Sequence, residues 1–377
     1  MTNRFLPYSR QLVTDADIDA VIEALKSPVI SQGSRLEQFE SVFASAAGAS
    51  FAVGFSSGTS ALHGMCAAAG IRPGDEVILP AMTFASTANA VLYTGGKPVF
   101  VDVEPSSVCI DSDRAAQAVT DSTRAILAVD FAGHPADYPR LRRIAAERDL
   151  LLLSDGAHSP GATISGSRPS ELADMAAFSF NPVKNITSAE GGMVVGADRG
   201  REEVLRQFRT HGMTREAPRL HEEPHGDWYY EQQFLGFNYK LSELHAALGL
   251  SQLARLHEHT ETRRRLAAVY HEALARLPVE RPAPKAGVEP AWHLYVIRVE
   301  PSIRRDLFDF LRARSIGVQV HYLPVPMHPY YRDLGYTMHG LDQARSYYES
   351  AISLPLHQAM SEEDVDRVVG AVRAFFS

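Results

Sequence analysis

The chain has 377 residues, of which 45% are hydrophobic and 22% are charged, as in ordinary globular proteins. Its 37 Lys and Arg against 45 Asp and Glu give a formal net charge of −8, which argues against a general nucleic-acid binder. No apolar run is long enough for a membrane span, no signal-peptide core is present, and Cys66 and Cys109 lack metal-ligand spacing. We therefore expect a soluble cytoplasmic protein with reduced cysteines, no membrane partner and no metal.

The first part of the chain alternates strand and helix patterns. An amphipathic helix over residues 15–25, opened by Thr14, and a second over 36–46 flank a turn at 31–33. Predicted strands then cover residues 51–55, 76–79, 98–103, 124–131, 150–153, 175–180 and 193–195, with helices over 61–69, 83–93 and 138–148. This alternation predicts βαβ units and a mostly parallel sheet covered on both faces.

The pattern changes after residue 238. A nearly continuous helix is predicted over 241–277, followed by a strand over 292–299, a helix over 304–314, a strand over 318–322 and a helix over 362–376. We interpret this as a large domain of residues 1–254 and a smaller C-terminal α/β domain of residues 255–377.

One lysine lies between two predicted buried strands. Pro182 ends the strand over 175–180, Lys184 follows on an irregular segment, and Gly191 and Gly192 turn the chain into the next strand. A lysine held there can lose hydration and act as an amine nucleophile. The alternative is an ordinary exposed loop lysine.

Polar or aromatic groups follow three other predicted strands. The turn Ser57-Gly58-Thr59 opens a helix and suits a phosphate, although it also fits an ordinary N-cap. Asp155 ends a buried strand and needs a cation, such as a protonated ring nitrogen, although a nearby arginine or a turn cap would also serve. The aromatic ring of Phe84 is suited either to stacking on a planar ligand ring or to packing in the core.

Carboxyl ends of parallel strands meet at one edge of a sheet, so these groups are expected to converge. A phosphate turn, a ring carboxylate, a stacking aromatic and a lysine together meet the requirements of pyridoxal 5′-phosphate (PLP).

The same segments resemble the PLP-dependent sugar aminotransferases of the DegT/DnrJ/EryC1/StrS family. The resemblance covers essentially the whole chain, in order, in the motifs Ser56-Ser-Gly-Thr-Ser-Ala-Leu62, Pro80-Ala-Met-Thr-Phe-Ala-Ser-Thr-Ala-Asn-Ala90, Asp155-Gly-Ala-His158, Ser179-Phe-Asn-Pro-Val-Lys184, Glu190-Gly-Gly192 and Leu235-Gly-Phe-Asn-Tyr-Lys-Leu-Ser-Glu-Leu244. It implies a fold-type I large domain with a mixed, mostly parallel sheet.

The resemblance also implies roles for single residues. Lys184 would hold the cofactor as a Schiff base and carry the catalytic proton transfers. Asp155 would pair with the pyridine nitrogen, His158 would contact the ring near O3′, and Phe84 would cover one face.

The phosphate would be bound by Gly58, Thr59 and Ser179 of one subunit and by Asn238 of the neighbouring subunit. A homodimer with shared active sites is therefore expected.

Four further motifs most resemble the pseudaminic-acid pathway branch of the family: Phe5-Leu-Pro-Tyr8, Trp228-Tyr-Tyr-Glu-Gln232, Ala291-Trp-His-Leu-Tyr295 and Val320-His-Tyr-Leu-Pro-Val325. They imply transfer of an amino group from L-glutamate to C4 of a UDP-linked 4-keto-6-deoxy-N-acetyl-hexosamine. The expected substrate-binding residues are Tyr8, Ser31, Trp228, His321 and Tyr322. The chain departs from the branch pattern at Ser34, Ser154 and Asn181.

Several alternatives remain at this stage. The substrate is open between UDP-, GDP- and dTDP-linked ketosugars and a cyclitol ketone. A PLP-dependent sugar dehydratase would have histidine in place of Lys184, and a non-catalytic regulator would be expected to lose Lys184 or Asp155.

Overall fold

The computed structural model describes residues 4–377. Its strands are β1 (Phe51–Phe55), β2 (Glu76–Pro80), β3 (Lys97–Val101), β4 (Thr123–Val129), β5 (Leu151–Asp155), β6 (Thr163–Ile164), β7 (Met175–Ser179), β8 (Gly192–Gly196), β9 (Met213–Thr214), β10 (Glu231–Gln232), β11 (Val288–Glu289), β12 (Tyr295–Arg298) and β13 (Ala351–Leu354).

The helices separate and cover these strands. They are α1 (Asp15–Leu25), α2 (Ser34–Ala47), α3 (Gly58–Ala68), α4 (Ala85–Tyr93), α5 (Ser112–Gln117), α6 (Tyr138–Glu147), α7 (Pro169–Leu172), α8 (Arg199–Phe208), α9 (Glu243–Leu253), α10 (Leu256–Ala273), α11 (Pro301–Ala313), α12 (Pro329–Asp333), α13 (Asp342–Ser350) and α14 (Glu362–Phe375). Within residues 4–377, no helix has both the length and the apolar character that a membrane crossing requires.

A seven-stranded sheet of order β1-β8-β7-β5-β4-β2-β3 forms the centre of the molecule. Strand β8 pairs antiparallel with β1 and β7, whereas the pairs β7-β5, β5-β4, β4-β2 and β2-β3 are parallel. The predicted mixed, mostly parallel α/β sheet is therefore confirmed.

Both faces of this sheet are buried. Leu127 and Leu153 pack with residues of α3 and α4, and their neighbours Ile126 and Leu152 pack with α6 on the other face. Because side chains of a strand alternate between faces, a strand covered on both sides is apolar throughout. This explains why the central strands lack polar alternation in the sequence.

Two predictions for the C-terminal part are wrong. The predicted helix over 241–277 is interrupted between α9 and α10, where the Arg255 side chain donates hydrogen bonds to Thr14 and Asp17. The predicted strand over 318–322 is reduced to one bridge between Gln319 and Ser353. The regular partner of β12 is β13, which the sequence reading missed.

We propose that the division into domains lies at residue 254. Helix α9 packs on α1 and α2, whereas α10 packs on α14, so the packing partners change at this break. The N-terminal segment is an exception to a simple division, because Leu6 pairs with Ile316 and is buried in the apolar core of the C-terminal part.

Candidate active site

A cavity of about 450 Å³ lies at the carboxyl ends of the central strands. Residues following β1, β2, β5 and β7 reach it, as expected for ligand sites of α/β sheets. Of the residues predicted from the sequence, the cavity is lined by Tyr8, Gly58, Thr59, Phe84, Asp155, His158, Ser179, Lys184, His321 and Tyr322.

Three predicted site residues do not line this cavity. Ser31 is exposed and forms a bridge with Ser242, and Asn238 is exposed with a backbone bridge to Thr210. Trp228 is 69% exposed in the segment between β9 and β10. Within one chain these residues are therefore separated from the lysine and its neighbours.

Lys184 is held by a turn between β7 and β8. Its backbone N–H donates to the carbonyl of Asn181 at 2.9 Å, and the next side chain, Asn185, donates to the carbonyls of Pro160 at 3.2 Å and Ala291 at 3.1 Å. Part of Lys184 remains accessible, but desolvation of its amine lowers the pKa to about 8, although the Asp155 carboxylate opposes this shift.

Asp155 is a buried carboxylate with no cation bound to it in the described part of the chain. Its Oδ2 accepts a hydrogen bond from Thr87 Oγ1 at 2.7 Å, and its Oδ1 accepts one from the N–H of Ala157 at 3.1 Å. Burial raises its pKa, which these hydrogen bonds partly offset. The alternative of an arginine-paired aspartate is therefore wrong, although the contact with Ala157 is a local turn cap.

The phosphate turn lies where α3 begins beside the end of β7. Ser57 caps the helix by accepting a hydrogen bond from the N–H of Ser60 at 3.1 Å. A Cβ atom at Gly58 would lie 2.7 Å from Cβ of Ser179, so only glycine permits this approach. The turn thus combines an N-cap with the close packing that brings helix N–H groups and the Ser179 hydroxyl to one place.

Phe84 is not a core residue, because its side chain is 58% exposed at the cavity wall. Its ring centroid lies 5.8 Å from that of Tyr322. The aromatic ring is thus available to a ligand in the cavity, and the core alternative is wrong.

Three imidazole rings, those of His158, His293 and His321, also line the cavity. The His158 Nε2 and the Tyr322 hydroxyl are hydrogen-bonded at 3.2 Å, and the His158 ring stacks on His293 with centroids 4.1 Å apart. His321 Nδ1 is hydrogen-bonded to the Ser353 hydroxyl at 2.8 Å. Burial lowers the pKa of each of these three imidazoles, so all are neutral near pH 7.

Sequence reasoning assigned no site role to several lining residues, which include Glu190, His293 and Gln319. His293 lies in Ala291-Trp-His-Leu-Tyr295, one of the motifs that resemble the pseudaminic-acid branch, but neither that resemblance nor the predicted strand gave His293 a role. No spacing in the sequence indicates that this segment returns to the cavity.

The three departures from the branch pattern lie in different places. Asn181 lines the cavity and donates to Glu190 Oε1 at 2.9 Å. Ser154 accepts from the Tyr138 hydroxyl at 2.6 Å behind the cavity wall, and Ser34 is the exposed first residue of α2. Only Asn181 is therefore positioned to contact a ligand.

These residues fit PLP. Among the described residues, no cation pairs with the buried Asp155 carboxylate, which can therefore receive the protonated ring nitrogen, while Lys184 offers an amine with a lowered pKa. The helix N-terminus at Gly58 and the Ser179 hydroxyl suit a phosphate. Within residues 4–377, no cluster of His, Cys, Asp and Glu is suited to a metal ion.

Comparisons with known proteins agree with this chemistry. The sequence profile of the DegT/DnrJ/EryC1/StrS aminotransferase family matches residues 11–373. The chain is 38% identical to the spore coat polysaccharide biosynthesis protein SpsC of Bacillus subtilis, covering 98% of this chain and 97% of SpsC.

Solved structures show the same fold. Spr1654 from Streptococcus pneumoniae in its PLP form has a TM-score of 0.91 and 30% identity over 98% of both chains. Helicobacter pylori PseC, an aminotransferase of pseudaminic acid biosynthesis, has a TM-score of 0.92 and 29% identity over 99% of both chains. This chain therefore belongs to the DegT/DnrJ/EryC1/StrS family and is a PLP-dependent sugar aminotransferase.

Proposed function

We propose that the enzyme transfers an amino group from L-glutamate to the C4 keto group of a UDP-linked 4-keto-6-deoxy-N-acetyl-hexosamine. The observation that carries this proposal is one cavity lined by Lys184 and Asp155 together with Tyr8, His321 and Tyr322. The likeness to PseC over nearly the whole chain supports a related substrate class. The relation to SpsC supports a role in polysaccharide biosynthesis.

Each part of the cofactor would have a defined holder. Gly58, Thr59 and Ser179 would bind the phosphate, Asp155 the ring nitrogen, and Lys184 the aldehyde carbon. Phe84 would cover one ring face and His158 would contact the ring. When bound, the cofactor supplies a carrier for the amino group and an electron sink for the charge that develops at the reacting carbon.

Asp155 keeps the proton on the ring nitrogen. Each unit by which its carboxylate raises the pKa of that nitrogen corresponds to about 1.4 kcal/mol in favour of the protonated ring. The hydrogen bonds from Thr87 and Ala157 orient the carboxylate, and Asp155 is 6% exposed, so little of it contacts solvent.

Lys184 moves the protons. Once the donor amine has displaced it from the aldehyde carbon, its Nζ would move the α-proton of glutamate to the cofactor, and in the second half-reaction it would move a proton from the cofactor to C4 of the sugar. A pKa of about 8 keeps a useful fraction of the amine neutral near pH 7 and still makes it an effective acid once protonated.

We also propose a homodimer with shared sites. Among the described residues that line the cavity, Lys184 is the only lysine or arginine, although the site must hold a phosphate and several carboxylate groups. Asn238 is exposed and outside the cavity of its own chain, so it is free to reach the phosphate held by the partner subunit. The cytoplasmic location expected from the sequence also remains a proposal.

The rival functions have less support. Both Lys184 and Asp155 line the cavity, which argues against a dehydratase with histidine at the lysine position and against a regulator without turnover. Another nucleotide ketosugar or a cyclitol ketone would use the same cofactor residues, so these substrates are separated only by assay.

The deciding experiment is an assay of the purified enzyme with glutamate against UDP-, GDP- and dTDP-linked 4-ketosugars and a cyclitol ketone. We expect the highest kcat/KM for the UDP-linked N-acetyl sugar, with 2-oxoglutarate formed in equal amount. A preference for any other acceptor would replace the substrate assignment and leave the aminotransferase chemistry in place.

A further inference from the structure

His293 forms the back wall of the cavity directly behind His158. The two rings stack with centroids 4.1 Å apart and an angle of 28° between their planes. His293 is 3% exposed and His158 is 6% exposed, and both line the cavity. Nδ1 of each ring is buried without a hydrogen-bond partner in the described part of the chain.

The backbone around His293 is fixed by several independent contacts. The fully buried Arg263 guanidinium donates from Nη1 to the carbonyl of His293 at 3.2 Å and to that of Trp292 at 3.1 Å. Trp292 has a backbone φ of +49°, which residues other than glycine rarely adopt. A conformation of this kind persists only where the surrounding structure imposes it.

Gly133 permits this placement by allowing close approach. A Cβ atom there would lie 2.8 Å from the N of Trp292, 2.9 Å from the N of His293 and 3.0 Å from the carbonyl oxygen of His158. The segments that carry the two histidines therefore meet at a glycine. The backbone positions of both segments therefore determine the contact between the two rings.

Asn185 links the same segment to the catalytic lysine. Its side chain donates to the carbonyl of Ala291 at 3.1 Å, and it directly follows Lys184. The charged or titratable groups whose fields act on His293 are His158, Lys184, Arg263 and His321, and burial with these neighbours keeps the His293 ring neutral. His293 is thus a neutral ring without a proton-transfer partner in the described structure.

We propose that His293 is a positioning residue, whose ring supports His158 from behind and fixes its orientation toward the bound cofactor. Among the described residues, His158 is contacted by the stacked His293 ring at 4.1 Å, by the hydroxyl of Tyr322, and by the edge of the more distant Phe131 ring, whose centroid lies 6.4 Å away. This proposal rests on the proposed placement of His158 against the cofactor ring but does not depend on which sugar is the substrate.

The test separates ring shape from volume and from polarity. His293→Phe keeps a flat ring, His293→Leu keeps comparable bulk without a plane, and His293→Ala removes both. Each apoenzyme is titrated with PLP, and the visible circular dichroism of the bound cofactor is recorded with the melting temperature. His357→Phe is the matched control, because His357 is a buried imidazole that does not line the cavity.

We expect His293→Leu and His293→Ala to weaken PLP binding by about 3- to 10-fold, the range typical of an aromatic contact, and to change the dichroism. His293→Phe and His357→Phe are expected to stay within about 2-fold of the parent and to keep its dichroism. If His293→Leu binds PLP as the parent does, or if His293→Phe is as impaired as His293→Leu, the positioning role is wrong.

A double-mutant cycle shows whether His293 acts through His158. In a His158→Ala background, His293→Leu is expected to cause no further loss of PLP affinity, because the ring that it supports is gone. Additive losses would overturn the proposal. PLP titration requires no sugar or amino donor, so its result stands apart from the substrate assays that test the proposed function.

Discussion

Lys184 and Asp155 line the same cavity without forming a hydrogen bond or an ion pair in the described part of the chain. Burial lowers the pKa of the lysine and raises that of the aspartate, and each charge partly opposes the shift of the other. Burial therefore weakens the preference of each group for its charged form, and the absence of a direct contact between the described side chains leaves the lysine open to an aldehyde and the carboxylate open to a ring nitrogen.

The first prediction concerns the rate at which the apoenzyme captures PLP. Since only a neutral amine attacks the aldehyde and burial lowers the Lys184 pKa to about 8, the rate should rise with pH through a midpoint near pH 8. An ordinary lysine would give a midpoint near 10.4. Stopped-flow absorbance measures this profile.

The matched control is Lys184→Ala, which should show no cofactor absorption that bleaches with glutamate. A Lys184→Ala protein with parental spectra and turnover would contradict the assignment of the lysine. A rate midpoint near that of an exposed lysine would contradict the role of burial.

The second prediction concerns Asp155→Asn. Loss of the carboxylate removes the charge that raises the Lys184 pKa, so the midpoint of PLP capture should move below that of the parent. Transamination should also fall by about 10²-fold or more, because the ring nitrogen loses its charged partner. Thr87→Val, which removes one hydrogen bond to the carboxylate, should give a smaller loss. A midpoint that moves upward would contradict this account.

Local patterns predicted much of the fold. Helix α1 and strand β1 begin and end where the sequence indicated, because an N-cap with an amphipathic run and a short apolar run are local signals. Strand β13 and the irregular path of residues 318–322 were missed, since pairing with β12 depends on residues more than fifty positions away. Such pairing leaves little trace in a local pattern.

The same difference between local signals and long-range contacts applies to the candidate site. Gly58 and Asp155 were predictable together because they lie at the ends of two strands of one sheet, whereas Ser179 was expected only from the family resemblance. His293 reaches the cavity through a left-handed backbone at Trp292 and contacts with Gly133, which only tertiary structure reveals. Asn238 and Trp228 lie outside the cavity of their own chain, so their predicted roles require a second subunit.

The third prediction concerns acid stability of the apoenzyme. Burial lowers the pKa of His134 and His321 to about 4 and that of His357 to about 3, so the unfolded chain binds more protons than the folded one between about pH 4 and 6.5. Asp130 acts in the opposite direction, because burial raises its pKa to about 7. Burial also lowers the pKa of His63 to about 4 and lowers those of His158 and His293, while it raises that of Asp155. The histidines outnumber the two aspartates, which leaves a net excess of protons on the unfolded chain.

The free energy of unfolding should therefore fall as the pH decreases from about 6.5, by about 1.4 kcal/mol per pH unit for each excess proton. Urea unfolding at pH 7.0 and pH 5.5 measures this change. His357→Phe should reduce the slope by about one proton. Equal or greater stability at pH 5.5 would show that other groups dominate the linkage.

The fourth prediction concerns shared active sites. Lys184→Ala and Asn238→Ala homodimers should each be impaired, the first in catalysis and the second in phosphate binding. After subunit exchange, one site of each mixed dimer combines an intact lysine with an intact asparagine, so about a quarter of the sites should recover. Absence of recovery, with exchange shown by mass or fluorescence labels, would place Asn238 outside the partner's site.

The fifth prediction concerns recognition of the sugar nucleotide. Trp228 is 69% exposed and lines no part of the cavity in its own chain, so Trp228→Ala should not disturb the fold. If its ring packs on the sugar or uracil bound in the partner subunit, the variant should raise KM for the sugar by about 2- to 10-fold and leave KM for glutamate unchanged. Tyr330→Ala, at another exposed aromatic, is the control.

The same reasoning predicts discrimination at C2 of the sugar. A site that hydrogen-bonds the N-acetyl group leaves buried polar groups unpaired when that group is absent, and such sites reject the poorer analogue by up to about 10⁴-fold. The N-acetyl ketosugar should therefore exceed its 2-hydroxy counterpart in kcat/KM, and Tyr322→Ala should raise KM for the sugar more than KM for glutamate. Equal kcat/KM for dTDP-4-keto-6-deoxyglucose, or activity only on a cyclitol ketone, would disprove the substrate assignment while leaving the roles of Lys184 and Asp155 intact.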